Sequence, residues 1–599
     1  MSSISPDLAR DVTAVAHSKS APQIEPRQSV NWPGALLVVL VILGLFTDLG
    51  GRGLNEPDEG RYAEIAREML ASGNWIEPTL HGFEHFQKPP LIYWATAASF
   101  QLFGLNEWAA RLPSALAAGL TLWLTCFIAR TWFGARAAFA STLVLLTSLE
   151  FFALARSLTP DMLMTFFITA ALASFVHWTS APDRRRRLWG FFLAMGLGFL
   201  TKGPMALVVP LSGALAWQLA MRHRGEPRCI PWFKGLSMTL FVGLSWHLVI
   251  CLRHPHLAEY FLKSELAGRV ATNVHGRHQP FWFFVPVILA GWLPWVLFLP
   301  SIAVWCYRRL RAPERLSPVG WMLIGWLSIP LLVLSLSSSK LVTYVLPLFP
   351  ALALLGGGWW SRSTVTHNVV RPAMGWLLIL GLLTAGSWLG GHFWPPLASL
   401  RTPTLIGGIL LVAVALGVAV YEYGNVPPLL GGTLALTTLG AWLILAGHAD
   451  RANNLLNRQA CVRTLAARIR NIDAANPVVF TYGVNTPGLE FYLRRTLPLM
   501  KAQADDFIPH SPGQTARLLA MPEDTARLRQ PGQPLLGLVR SDRLATEFPE
   551  DEWAVVDRAG GLTLVSLRET DPNGLGIVAP APIKRVCPVP AGKPELDPW

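Results

Sequence analysis

Between Asn55 and Trp94 the chain reads N-E-P-D-E-G-R-Y-A-E-I-A-R-E-M-L and then, from Glu84, E-H-F-Q-K-P-P-L-I-Y-W. This stretch gathers Asp58, Glu59, Arg61 and Lys88 directly after an apolar run. A carboxylate can act as a general base or stabilise positive charge, while Lys and Arg can meet the negative charge of a departing phosphate. Together at a membrane edge they point to chemistry on a charged substrate. Each also has a plainer reading. Asp58 and Glu59 in a first helical turn are favourable against the helix dipole, Arg61 is spaced for a helical ion pair with Asp58, and an interfacial lysine such as Lys88 can reach lipid phosphate.

These residues need an element to carry them. Pro57 suits a first helical turn, Asn55 or Glu56 can cap it, and Gly73 suits its end. The spacing therefore predicts a helix over Pro57–Ser72, with Tyr62, Ile65, Ala66, Met69 and Leu70 on one face, lying along the membrane surface.

Composition sets the class around that helix. Hydrophobic residues make up 52% of 599 and charged residues only 15%, with 25 tryptophans and 29 phenylalanines, which excludes an ordinary soluble enzyme. A spanning helix needs about 20 mostly apolar residues, because lipid satisfies none of its backbone. Thirteen segments qualify: near 33–50, 108–129, 137–153, 160–178, 188–201, 204–220, 235–252, 281–305, 319–337, 341–358, 373–392, 403–421 and 426–446. The expected fold is a polytopic α-helical membrane protein. Residues 1–30 read as a cytoplasmic tail, 31–446 as the transmembrane domain with an outer insert at 51–107, and 447–579 as an extramembrane α/β domain. A loose, proline-rich tail at 580–599 completes the order.

Basic loops fix the orientation. With the tail inside, Arg130 and Arg136, Arg184–Arg187, Arg222–Lys234, Arg308–Arg315 and Arg362–Arg371 fall on the inner face. The other face receives the 51–107 insert, Arg156 to Asp161, Lys202, the 253–280 loop, Ser337–Lys340 and everything after 447. The net charge of +13 follows from the basic inner loops and carries no nucleic-acid signal. The six cysteines form neither a C-x-x-C pair nor a disulfide framework. Beyond 447 the apolar runs give way to helix-like residues 451–472 and short strand-like runs at 478–482, 535–539, 553–556 and 563–567.

The strings P-D-E-G-R-Y-A-E-I-A-R-E-M, S-G-N-W-I-E-P-T-L-H-G and F-Q-K-P-P-L-I-Y-W resemble the ArnT family, aminoarabinose transferases that modify lipid A. That family belongs to the GT-C glycosyltransferases, which include protein mannosyltransferases. R-S-L-T-P-D-M (156–162), L-T-K-G-P (200–204), V-H-G-R-H-Q-P-F-W-F-F (274–284) and S-S-S-K-L-V-T-Y-V-L-P (337–347) extend the resemblance in order through the membrane region.

The resemblance implies transfer of 4-amino-4-deoxy-L-arabinose from undecaprenyl phosphate to a lipid A phosphate, at the periplasmic face of the bacterial inner membrane, with polymyxin resistance as the consequence. No nucleotide sugar is then needed, in keeping with the lack of a Gly-rich phosphate loop after a strand. Asp58 and Asp161 match the family's catalytic carboxylates. Glu59, Arg61, Tyr62, Lys88, Arg156, Lys202, His275, Arg277, Lys340 and Tyr344 are the substrate-binding candidates, with Lys88, Arg277 and Lys202 as cations for the leaving phosphate. Asp161 also suits a cap or an ion pair with Arg156. No organic cofactor is implied. A divalent ion would take Glu84 and His275, although Gln87 stands where the family commonly has an acidic ligand.

Related readings share the fold and the carrier. One moves glucosamine or a hexose to lipid A, a glycan or a protein hydroxyl. A lipid or glycolipid transporter would instead place its ionisable residues at mid-membrane and show repeated halves.

Overall fold

The computed structural model describes residues 32–180, 186–261, 279–311, 317–362, 435–444, 462–472, 477–500, 533–559 and 561–568, with isolated positions at 263, 375, 376, 379, 408 and 528. Among these residues, six helices are long and apolar enough to cross a membrane, or eight if two bent pairs each count as one span. The architecture is that of a polytopic α-helical membrane protein. Of the thirteen expected segments, the first ten contain helices; those near 373–392 and 403–421 lie almost wholly outside the described residues, and the last is seen as Ala435–Ile444. The 1–30 tail and the 580–599 tail also lie outside them.

Helix α1 (Trp32–Phe46) leads to α2 (Asp58–Ser72), a two-stranded β1–β2 hairpin (Thr79–Leu80 and Phe83–Glu84) and α3 (Leu91–Phe103). Proline and glycine punctuate this insert. Pro57 precedes α2, and Gly73 ends it in the left-handed region at φ 69°, where a Cβ is disfavoured. Pro90 precedes α3. The long α4 (Glu107–Phe133) starts where the Asn106 side chain accepts the Ala109 N–H at 2.8 Å.

The following span is broken. Helix α5 (Ala135–Thr147) and α6 (Leu149–Ala155) meet at 69°. The Thr147 carbonyl freed at the break accepts the Trp442 indole N–H at 2.8 Å, and the Thr147 hydroxyl accepts that of Trp295 at 2.9 Å. A break in apolar surroundings persists because neighbouring side chains satisfy its polar groups. Helices α7 (Pro160–Thr179), α8 (Arg186–Lys202), α9 (Met205–His223) and α10 (Trp232–Arg253) follow. Small residues let such helices approach closely: a Cβ at Gly357, in the Phe349–Trp360 helix, would strike Ser141 of α5.

Among the described residues after 461, five strands form one sheet in the order β4-β3-β5-β7-β6. Strands β3 (Val478–Tyr482), β4 (Leu499–Met500) and β5 (Leu535–Arg540) run parallel, while β6 (Trp553–Ala559) and β7 (Leu562–Leu567) pair antiparallel at the β5 edge. The strand-like runs are strands. Of the expected 451–472 helix, Val462–Arg470 is helical and residues 451–461 lie outside the described residues.

The insert departs from expectation in one respect. Tyr62, Ile65, Ala66 and Met69 do face a core, but Glu59, Glu64, Arg67 and Glu68 are buried too. Helix α2 does not lie free on a membrane surface. It is packed between α3 and the Pro487–Leu493 helix of the C-terminal sheet domain, so both sides of the helix are covered.

Candidate functional site

Glu59 is the hub of the insert. Its carboxylate takes two bonds from Arg111 of α4, both at 2.8 Å, one from Arg52 at 3.3 Å, and backbone N–H groups from Asn55 and Leu158, each at 2.9 Å. Arg111 is fully buried and also donates to the carbonyls of Leu49, Arg52 and Gly53. Arg52 continues the network to the Arg156 carbonyl at 2.7 Å and the Ser157 hydroxyl at 3.0 Å. Burial alone would raise the Glu59 pKa, but Arg111 and Arg52 outweigh it and hold it at about 2. One permanently ionised carboxylate thus ties the start of α2, which carries Asp58, to the loop that opens α7, which carries Asp161.

On that frame the two expected carboxylates differ. Asp58 is exposed and paired with Arg61 at 2.6 Å, the helical spacing anticipated for them. Asp161, in the first turn of α7, is buried and paired with Lys202 at the end of α8. The Lys202 ammonium also lies over the Tyr344 ring, 4.8 Å from its centroid. Tyr62 is within electrostatic reach of both carboxylates. It feels the charges of Asp58, Asp161 and Arg61, and its ring is 5.8 Å from that of Tyr93. Burial, with the two aspartates adding to it, pushes the Tyr62 phenol up to about 12, so it is a hydrogen-bond donor at any physiological pH.

Six expected site residues are thereby brought into two groups: Asp58, Arg61 and Tyr62, then Asp161, Lys202 and Tyr344. Others turn toward the protein. The anticipated Arg156–Asp161 pair is replaced by Lys202–Asp161, because Arg156 spends its guanidinium on the Gly44 and Thr47 carbonyls near the end of α1. Lys340 is buried and donates to the carbonyls of Gln279 and Ser337, at 2.9 and 2.6 Å. Glu59 is likewise committed to its arginines. Lys88 is half-buried in the bend before Pro89 and α3. His275 and Arg277 lie outside the described residues.

Glu84 is half-buried on β2, and among the described residues its carboxylate has no ion-pair partner. A second acidic group, Glu64, Glu68 and Glu490, is buried where α2 meets the C-terminal domain. It is already met by cations: Glu64 is held by Arg67 in a two-pronged pair, and Glu490 by His81 at 2.6 Å. Sequence reasoning passed over Arg111 and Arg52. Arg111 had a signal, since it is a charge inside an otherwise apolar run, and such residues are costly unless they have a partner.

Residues 87–250 match the family described as dolichyl-phosphate-mannose-protein mannosyltransferase. Curated relatives named undecaprenyl phosphate-alpha-4-amino-4-deoxy-L-arabinose arabinosyl transferase include that of Edwardsiella ictaluri, 35% identical over 396 residues, covering 64% of this chain and 70% of the relative. That of Pectobacterium atrosepticum is 35% identical over 404 residues, with the same two shares of coverage. The crystal structure of ArnT from Cupriavidus metallidurans bound to undecaprenyl phosphate superposes with a TM-score of 0.74 at 26% identity, covering 90% of this chain and 98% of that one.

Proposed function

This chain belongs to the undecaprenyl phosphate-4-amino-4-deoxy-L-arabinose arabinosyl transferase family, and from that membership we propose its full reaction: transfer of the amino sugar from undecaprenyl phosphate to a phosphate of lipid A, at the periplasmic face of the inner membrane. It is a glycosyltransferase, and its donor carrier is undecaprenyl phosphate.

The observation that carries the residue roles is the Asp161–Lys202 pair against the Tyr344 ring, with Asp161 in electrostatic reach of Tyr62, the neighbour of Asp58 and Arg61. As the anomeric C–O bond breaks, charge builds on the undecaprenyl phosphate oxygens. Lys202, oriented by Asp161 and by the Tyr344 ring, meets that charge, and Lys88 is its partner cation on the insert. A lipid A phosphate is ionised at neutral pH and attacks without a general base. Asp58 therefore stabilises positive charge on the sugar ring or its amino group, and Arg61, released from Asp58, receives the acceptor phosphate. Glu59, Arg156 and Lys340 act through the backbone they hold. A divalent ion, were Glu84 and His275 to hold one, would neutralise phosphate charge.

Mass spectrometry of lipid A, from cells with and without the protein and supplied with the polyprenyl-linked amino sugar, tests the reaction. A gain of one aminopentose is expected. A gain of hexosamine would change the sugar, and unchanged lipid A with folded protein present would overturn the acceptor.

A further inference from the structure

A cavity of about 210 Å³ lies where the outer end of α4 meets the C-terminal domain, and it is lined by Glu107, Arg463, Arg470, Arg494, Phe491 and Tyr492. Three guanidinium groups share this space with one carboxylate. Arg463 is committed, pairing with Glu107 at 3.3 Å and donating to the Gly51 carbonyl at 2.9 Å. Arg470 and Arg494 are exposed, and among the described residues neither has an ion-pair partner. Arg494 sits in the left-handed position (φ 57°) that ends the Pro487–Leu493 helix, which brings its side chain to the cavity wall.

Two guanidinium groups with no ion-pair partner among the described residues, placed in one concave site, suit an anion, and planar, multiply donating arginines suit a phosphate. The surroundings say which kind. Leu105 lines the same cavity. Just before it, Leu102 and Phe103 are 76% and 51% exposed, and below it Leu116, Leu120 and Trp123 stand out from α4. An apolar strip thus runs from the bilayer face of α4 up to a basic cavity at its outer end, a layout for a lipid whose acyl chains lie on the strip and whose phosphate enters the cavity. The volume is below the about 300–1,000 Å³ of pockets that enclose whole drug-sized ligands, so it takes one phosphate and the edge of a sugar rather than an entire headgroup.

We propose that Arg470 and Arg494, with Arg463 and the Tyr492 ring, form a docking site for a phosphate of the acceptor glycolipid, apart from the Asp58–Asp161 centre. This rests on the acceptor being a phosphorylated glycolipid, as in the proposed function. The site is physically tied to the reaction centre. Arg463 holds Gly51, and the Tyr492 hydroxyl accepts the Leu54 N–H at 2.8 Å, so the cavity wall braces the segment that leads into Asp58. A glycolipid with two phosphates would be anchored by one while the other is presented for transfer.

The test is binding to the purified full-length protein by native mass spectrometry, using diphosphoryl lipid A, its dephosphorylated form, phosphatidylglycerol and undecaprenyl phosphate as probes. In R470Q/R494Q, diphosphoryl lipid A binding should weaken at least tenfold while undecaprenyl phosphate binding and the melting midpoint stay unchanged. In transfer assays the same variant should raise the acceptor KM with little change in kcat. Unchanged lipid A binding in the variant overturns the site, as does equally tight binding of phosphatidylglycerol or of dephosphorylated lipid A to the unmodified protein. If the unmodified protein binds lipid A through these arginines but transfers no sugar, the reaction falls and the docking site stands. If it transfers sugar and the variant keeps the same acceptor KM, the docking site falls and the reaction stands.

Discussion

The Glu56 carboxylate accepts the backbone N–H of Gly488 at 2.7 Å, joining residues 432 positions apart. Glu56 lies two residues before Asp58, and Gly488 is in the first turn of the Pro487–Leu493 helix, so the C-terminal domain grips the segment that starts α2. A Cβ at 488 would strike the Glu56 carboxylate, so a larger residue fits only if that carboxylate swings off its hydrogen bond.

Gly488→Ala should therefore cost about 1–3 kcal/mol, the penalty of a buried acceptor losing its partner, and should raise proteolytic cleavage between the two domains. Glu56→Gln should be nearly silent at pH 7. Burial pushes the Glu56 pKa up to about 8, so the native carboxyl is largely uncharged at that pH and an amide mimics it. A Glu56→Gln protein as labile as Gly488→Ala would contradict this reading.

Alkaline pH should loosen the same junction. Burial acts against a charged His81, but Glu490 and Asn485 outweigh it and raise its pKa to about 9 from an ordinary 6.5. Its contribution is thus complete below about 6.5 and is lost as pH climbs through 9. Burial raises Glu56 to about 8 from 4.5, so its uncharged form favours docking and that contribution is lost as pH climbs through 8. The Gly488 N–H, His81 and Arg61 soften this effect, and Glu490 adds to it. Both shifts have the same sign. Hydrogen-exchange protection factors over 487–493, taken relative to the intrinsic base-catalysed rate, should fall between pH 6.5 and 9.5; constant protection factors across that range would refute the coupling.

Arg111→Ala should be the most damaging single change in the insert. It strands the buried Glu59 carboxylate and three backbone carbonyls, and breaking such a pair costs about 3–5 kcal/mol. Little folded protein should survive detergent extraction, as read by size-exclusion chromatography. A normal elution profile with a normal melting midpoint would mean that the hub is dispensable.

Lys202→Ala and Asp161→Asn should leave the fold intact and lower transfer by about 100-fold or more, the scale expected when a charge-stabilising group is lost. Lys202→Met, which keeps the stem over Tyr344 but not the charge, should be equally inactive. Asp58→Asn and Lys88→Ala should also abolish transfer, with the protein still folded and inserted in the membrane. Lipid A mass spectrometry on cells with matched protein levels reads each one, and near-normal transfer by any variant removes that residue from the proposed mechanism.

The amino-acid order alone determined the elements and the class. Runs of about 20 apolar residues announce spans because lipid leaves no other way to satisfy a backbone. Pro57 and Gly73 bracket α2, and the residue strings of the insert and loops carry the family. Tertiary structure alone decided which charge meets which. Asp161 had Arg156 five residues away, yet it pairs with Lys202, 41 residues on, because the start of α7 and the end of α8 meet at one membrane edge. Glu59 read as a substrate ligand until Arg111, 52 residues later, claimed both of its oxygens. Helix α2 read as a surface helix because the domain that covers it starts hundreds of residues downstream. Periodicity and capping act within a few turns of chain and are visible in one dimension. Desolvating a charge forces it to find a partner, but which partner it finds depends on how the helices pack.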